Sequence, residues 1–174
     1  MPKIIENLRQ QLLLEAKRQI REYGYAKTTV RSVAKACGVG VGTVYNYFES
    51  KDLLIANFMF EEWKEYLSEM AKLPTDKPEI LMRGIYNALT DFARENEMLF
   101  SDSDVGKIIV SGADSRHKML RAQISAFLLP MCREADVYSP DFSADFIAEA
   151  LIKWSMEGVS FDALYPMLEK IIKK

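Results

Sequence analysis

Cysteine and histidine are nearly missing from this 174-residue chain, which holds two cysteines, Cys37 and Cys132, and one histidine, His117. The cysteines stand far apart, with neither a CxxC spacing nor a Cys/His cluster around them. That excludes a disulfide framework and a structural zinc site, and leaves buried reduced thiols as the expectation. A single histidine, with no GxSxG, no P-loop, no dinucleotide fingerprint and no paired carboxylates in a recognisable setting, gives an enzyme no footing. His117 is expected as a surface or satisfied helix residue. Asp102, Asp104 and Asp114 lack supporting His or Cys and are expected in solvated turns, so neither a metal nor a cofactor is called for.

Long apolar runs are absent as well: none approaches the roughly 18 residues needed to cross a bilayer. The opening MPKIIENLRQ has neither the basic start nor the unbroken apolar stretch of a signal peptide, so a cytoplasmic protein with no membrane partner is expected. No segment sustains the period-two alternation of strands with turn dipeptides between them, and no internal repeat or low-complexity tract is present. With 49% hydrophobic and 28% charged residues, the composition is that of a globular protein rather than a disordered one.

What is present is helical period. Leu8, Leu12, Ala16 and Ile20 recur every four residues and define a first amphipathic helix that should stop near Gly24. Thr28 and Thr29 offer a hydroxyl cap to a short second helix ending at Gly38, and a third short helix is expected from about Val41 to Tyr47. Ser50 caps a longer helix running to Met70, with Asp52 in its first turn where the helix dipole favours an anion. After the break at residues 73–78, helical pattern runs from Glu79 to about Phe100, from about Ser115 to Ala135, from Asp141 to about Glu157, and from Phe161 to about Ile172. Pro130 is expected to kink its helix, and Pro166 to kink its own or shift its start. The expected fold class is all-α with about nine helices: a three-helix head at residues 1–50 joined through the fourth helix to a helical body at 51–174.

Charge is divided between these parts. Residues 1–51 carry nine Lys/Arg against four Glu, a net of +5; since the whole chain is −2, the remainder carries −7. A basic head on an acidic body suits a phosphate-binding module attached to a non-binding one, because phosphate neutralisation supplies most non-specific DNA affinity. Within the head, residues 28–48 (TTVRSVAKACGVGVGTVYNYF) fit a capped helix, a glycine turn and a second short helix into about twenty positions, the dimensions of a helix-turn-helix. Val30, Val33, Ala34, Val39, Val44 and Phe48 suit its inner face. Arg31, Thr43, Tyr45, Asn46 and Tyr47 are left for the outer one, with side chains suited to phosphates and base edges.

The ordered string Glu22-Tyr23-Gly24-Tyr25, Thr28-Thr29-Val30-Arg31, Ala34, Gly38-Val39, Gly42-Thr43-Val44-Tyr45, Tyr47-Phe48 and Ser50-Lys51 resembles the DNA-binding head of the TetR family of transcriptional regulators. The resemblance implies that Val41 to Tyr47 is the recognition helix entering the major groove, with Val41, Gly42 and Asn46 on it. It implies that Arg31 reaches a base or phosphate and that Thr29 caps the second helix and offers its hydroxyl to the DNA backbone. Thr43 and Tyr47 would contact phosphate, Tyr45 phosphate and a thymine methyl, and Lys51 would add its charge at the start of helix four. Two positions depart from the family pattern: Gly40 stands where a capping Ser is usual, and Val41 where many members have a polar reader.

The resemblance fades after helix four, and what it implies for the body is a homodimer that binds a small-molecule effector and thereby changes the spacing of two heads on a double-stranded DNA operator. The apolar stripes of the last two helices, including Phe146, Ala150, Leu151, Trp154, Leu164 and Leu168, are expected to pair across a two-fold into a four-helix bundle, or else to form an intramolecular core. Trp63, Tyr66, Tyr86, Phe92 and Phe127 are candidates to line an effector pocket. The competing expectation, motivated by Gly40, Val41 and Gly42, is a ligand-binding or protein-interaction module whose head no longer binds specific DNA.

Overall fold

The computed structural model describes residues 7–100 and 113–173, and among them it shows nine helices and no strand. In chain order these are α1 (Leu8–Tyr23), α2 (Val30–Ala36), α3 (Val41–Tyr45), α4 (Lys51–Met70), α5 (Pro78–Glu95), α6 (Glu97–Phe100), α7 (Ala113–Glu134), α8 (Pro140–Met156) and α9 (Phe161–Ile172). The described residues form two compact units. One holds the chain through Lys64 and takes it up again at Asn96; the other holds Glu65–Glu95 and α7, α8 and α9. The units divide within α4, beyond the cap at Ser50 where that helix begins.

In the first unit the four-residue stripe of α1 is buried as its period requires, joined by Leu13. The helix ends where Gly24 takes φ +82°, its N–H bonded to the Ile20 carbonyl at 2.9 Å. Around that stripe pack Val30, Val33 and Ala34 of α2, Val44 of α3, Phe48, and Leu54, Ile55 and Phe58 of α4, with Leu99 of α6 completing the core. The start of α4 is capped by the Ser50 hydroxyl, which accepts from the Leu53 N–H at 3.1 Å.

The expected continuous helix from Glu79 to Phe100 is broken at Asn96. At the break a polar contact reaches far away in sequence: buried Asn96 donates from Nδ2 to Glu62 Oε2 at 2.9 Å. Glu62 is itself buried, and its other oxygen receives Lys17 Nζ at 2.7 Å and Arg21 at 2.8 Å. Burial pushes the Glu62 carboxyl up, but hydrogen bonds from Lys17 and Asn96 and the charges of Lys17 and Arg21 outweigh it and hold the group below its ordinary range.

In the second unit α5 buries Leu81, Met82, Ile85 and Leu89, α7 buries Ile124, Leu128, Met131 and Cys132, and α8 buries Ala144, Ile147, Ala148, Leu151 and Ile152. Gly84 lets Leu73 lie against α5, since a β-carbon there would stand 2.7 Å from the Leu73 methyls. Pro140 and Pro78 occupy first-turn positions, where a missing N–H costs no intrahelical bond. Helix α7 continues through Pro130, and α9 through Pro166 with its start unshifted at Phe161, where the Ser160 hydroxyl accepts from Ala163 N–H.

Candidate nucleic-acid interface

The helix-turn-helix is set by local chemistry at each corner. Thr29 is extended at φ −132° and accepts from Ser32 N–H through its hydroxyl, while Thr29 N–H donates back to Ser32 Oγ, both at 3.0 Å. This reciprocal capping box satisfies two amide donors at once and fixes where α2 starts. At its far end Gly38 takes φ +68° and Val39 N–H reaches the Ala34 carbonyl at 2.9 Å, the closing bond of a left-handed helix terminus. Helix α3 then begins from extended Gly40 without a side-chain cap and is over by Tyr45, two residues earlier than its pattern suggests.

Burial divides this segment into two faces. Val30, Val33, Ala34, Val44 and Phe48 lie inside, with Val39 half-buried against them. Arg31, Gly42 and Asn46 are exposed, Tyr45 and Tyr47 are 49% and 48% exposed, and Val41 and Thr43 are half-buried. Two aromatic rings this open at the end of a short helix hide little apolar surface, so packing alone does not account for them.

Charge pairing sorts the basic residues further. On α1, Arg9 pairs with Glu61, Lys17 and Arg21 with Glu62, and Arg18 with Glu15 and Glu22. Lys27, Arg31 and Lys35 are exposed and have no ion-pair partner among the described residues. They recur at four-residue steps from the loop before α2 along that helix. Among the described residues of the head, the exposed cations without an ion-pair partner therefore gather on the helix-turn-helix, where anions are attracted without first breaking an internal pair. Charge counting in the sequence includes Lys27 and Lys35 but cannot separate them from the paired cations of α1.

Lys51 is placed differently. It is half-buried, with Nζ donating to the Tyr25 carbonyl at 3.0 Å and lying 3.5 Å from the centre of the Tyr25 ring. The Tyr25 hydroxyl in turn donates to Asp52 Oδ1.

The body candidates part company. Trp63 is buried in the first unit, while Tyr66, Tyr86, Phe92 and Phe127 belong to the second. Tyr66 and Phe92 meet edge to face at 5.7 Å and Phe127 is half-buried. Tyr86 is committed elsewhere: its hydroxyl is shared between the carbonyls of Trp154 and Val159, closing the α8–α9 turn. Of the stripe residues, Leu151, Leu164 and Leu168 are buried within the chain's own core, Ala150 is half-buried, and Phe146 and Trp154 are 52% and 41% exposed. Phe142 and Met167, which the stripe did not include, are exposed as well.

Cys132 is buried and Cys37 half-buried, both as free thiols, and burial pushes the Cys132 thiol up to about 11. His117 is at the surface, bonded to Glu149 at 2.8 Å. Asp102 and Asp104 lie outside the described residues, and no cluster of metal ligands occurs among those described. No described helix is long and apolar enough to cross a membrane.

Gly40 offers a test of this local account. It is extended at φ −72°, which any residue adopts, and a β-carbon there meets only Thr43 Oγ1 at 3.8 Å. Gly40→Ser should therefore stabilise the chain by about 0.5–1 kcal/mol, by restricting the unfolded chain and adding a hydroxyl cap to α3. Thermal unfolding reads this as a small rise in Tm; a fall would show that the α2–α3 turn has no room for a side chain.

Residues 12–57 match the family described as bacterial regulatory proteins, tetR family. The chain is 41% identical over 58 residues to an HTH-type transcriptional repressor of Mycobacterium tuberculosis, covering 31% of each protein. It is 26% identical over 136 residues to the HTH-type transcriptional regulator HbdR of an Aromatoleum strain, covering 72% of this chain and 59% of that one. The chain thus spans less than two thirds of the length of these curated relatives. Its fold is that of a TetR-family transcriptional regulator from Pectobacterium atrosepticum, matched with a TM-score of 0.70 at 17% identity over 100% of this chain and 98% of that one.

Proposed function

We propose that this chain, whose residues 12–57 match the tetR family of bacterial regulatory proteins, is a transcriptional repressor of that family that binds a palindromic operator as a homodimer and is released by a small molecule held in its second unit. The observation that carries the reading is the gathering of unpaired Lys27, Arg31 and Lys35 beside exposed Tyr45, Asn46 and Tyr47 on the helix-turn-helix. The cations supply phosphate affinity and orientation; the hydrogen-bonding side chains of α3 supply contacts to base edges.

With Gly40, Val41 and Gly42 at the leading end of α3, direct readout falls to Arg31, Tyr45 and Asn46, with apolar contact from Val41 to thymine methyls. Thr29, Thr43, Tyr47 and Lys51 serve as backbone contacts. A two-fold dimer places its recognition helices about 34–36 Å apart, so an effector that alters this spacing loses both half-sites together. On this reading Tyr66, Phe92 and Phe127 are the body residues assigned as effector contacts.

The test is selection from a pool of random duplexes followed by titration across salt concentration. A palindrome with a steep salt slope is expected, and Lys35→Ala should reduce the slope by roughly one. No retention at low salt would instead favour a head that has lost DNA binding.

A further inference from the structure

We infer that Tyr25 is a positioning residue for DNA binding: from the loop between α1 and α2 it clamps Lys51 at the N-terminus of α4, so that the ammonium is in place before phosphate arrives. The inference rests on the DNA-binding reading above and concerns a residue outside the recognition helix. Three contacts carry it. Lys51 Nζ donates to the Tyr25 carbonyl at 3.0 Å, the same nitrogen stands 3.5 Å from the ring centre, and the ring's far end is tethered through its hydroxyl to Asp52. Carbonyl, ring face and phenol thus bind two successive residues of α4's first turn, while the ring itself packs partly buried against the head core.

A lysine side chain is long and has many rotamers, and a contact made by a mobile ammonium loses that freedom on binding. The carbonyl bond and the cation–π contact remove it in advance. An ammonium has three donors, so a bond to one carbonyl is compatible with a phosphate oxygen on the same nitrogen. The α4 N-terminus adds its own partial positive charge there. Asp52 would repel phosphate if it stood open; receiving the Tyr25 hydroxyl ties it to the ring instead.

The test uses an end-labelled, mixed-sequence DNA duplex titrated with the full chain over a range of salt. Lys51→Ala should weaken low-salt binding about tenfold and lower the salt slope by about one. Tyr25→Leu should reproduce most of both changes, and the double variant should bind no more weakly than Lys51→Ala alone. Additive losses, or a Tyr25→Leu variant with the full slope, would overturn the inference while leaving DNA binding intact. Absence of binding by the unaltered chain would overturn the DNA-binding reading and the inference with it.

A second measurement reads the clamp in the unaltered protein, with a conservative variant used only for assignment. In lysine-labelled protein, the ε-methylene protons of Lys51, identified by their loss in Lys51→Arg, should be shifted upfield by the Tyr25 ring and remain so when duplex is added. An unshifted signal, or one that returns to its ordinary position on adding DNA, would show that the clamp does not operate in the complex.

Discussion

On the proposed homodimer with Phe146 in its interface, Phe146→Glu should leave the protein monomeric, weakening self-association by about 100-fold or more, because a charge would replace a ring that the partner must desolvate. The choice of residue matters. Phe146 is half-exposed in the single chain and lies beside Phe142, ring centres 6.4 Å apart, with exposed Trp154 two further four-residue steps along α8. A glutamate there meets water in the isolated chain, so its folding should hardly change. Leu151, by contrast, is fully buried, and a charge at that position would unfold the chain before reporting on association. Sedimentation equilibrium reads the expected change directly. Binding to a two-fold operator should fall in parallel by about 10²–10⁴, the factor lost when a second head no longer follows the first. A Phe146→Glu chain that remained dimeric would place the interface elsewhere.

The same helices show what a sequence pattern can and cannot tell. A stripe of apolar residues on α8 and α9 reveals which faces avoid water but not what covers them. The stripe divides residue by residue: Leu151, Leu164 and Leu168 fill the chain's own core, while Phe146 and Trp154 are exposed in the single chain. The head was legible because its signals are local. Thr29 caps three residues ahead, Gly24 and Gly38 take positive φ at helix ends, and the four-residue step of α1 needs no distant partner. Where a distant partner decides, the pattern is silent. Asn96 continues a helical period yet stands at the break after α5, with its amide bonded to Glu62. Lys51 sits where a phosphate contact is expected, but its grip on Tyr25 depends on a loop that residue types alone do not place. The ion pairs that quiet α1 and leave Lys27, Arg31 and Lys35 uncompensated are likewise a matter of which acids α4 brings across.

Two of those pairs converge on Glu62, whose loss should destabilise the chain. Its carboxylate receives α1 through Lys17 and Arg21 and the α5–α6 junction through Asn96. Glu62→Ala removes all three contacts. Breaking a fully buried pair costs about 3–5 kcal/mol, but the side chains of Lys17 and Arg21 are 27% and 40% exposed and can rehydrate. Solvent screening therefore discounts their share. Buried Asn96 cannot rehydrate so easily, and a lost partner there costs about 1–3 kcal/mol. The expected net destabilisation is about 2–3 kcal/mol, read as a lower denaturant midpoint with an unchanged slope. Glu62→Gln keeps an acceptor for Asn96 and should lose about half as much.

Acid separates the electrostatic part from the packing part. Because the folded carboxyl is held below its ordinary value of 4.5, the stability it contributes is fully present above that value. It is lost as pH falls from there through the lowered folded value, since the unfolded chain then binds the proton first. The stability gap between the unaltered chain and Glu62→Gln should accordingly be constant from pH 7 to about pH 5 and close at lower pH. A gap that persists undiminished in acid would mean that Glu62 acts through shape and hydrogen bonding, and that its charge contributes nothing to joining α1, α4 and the α5–α6 junction.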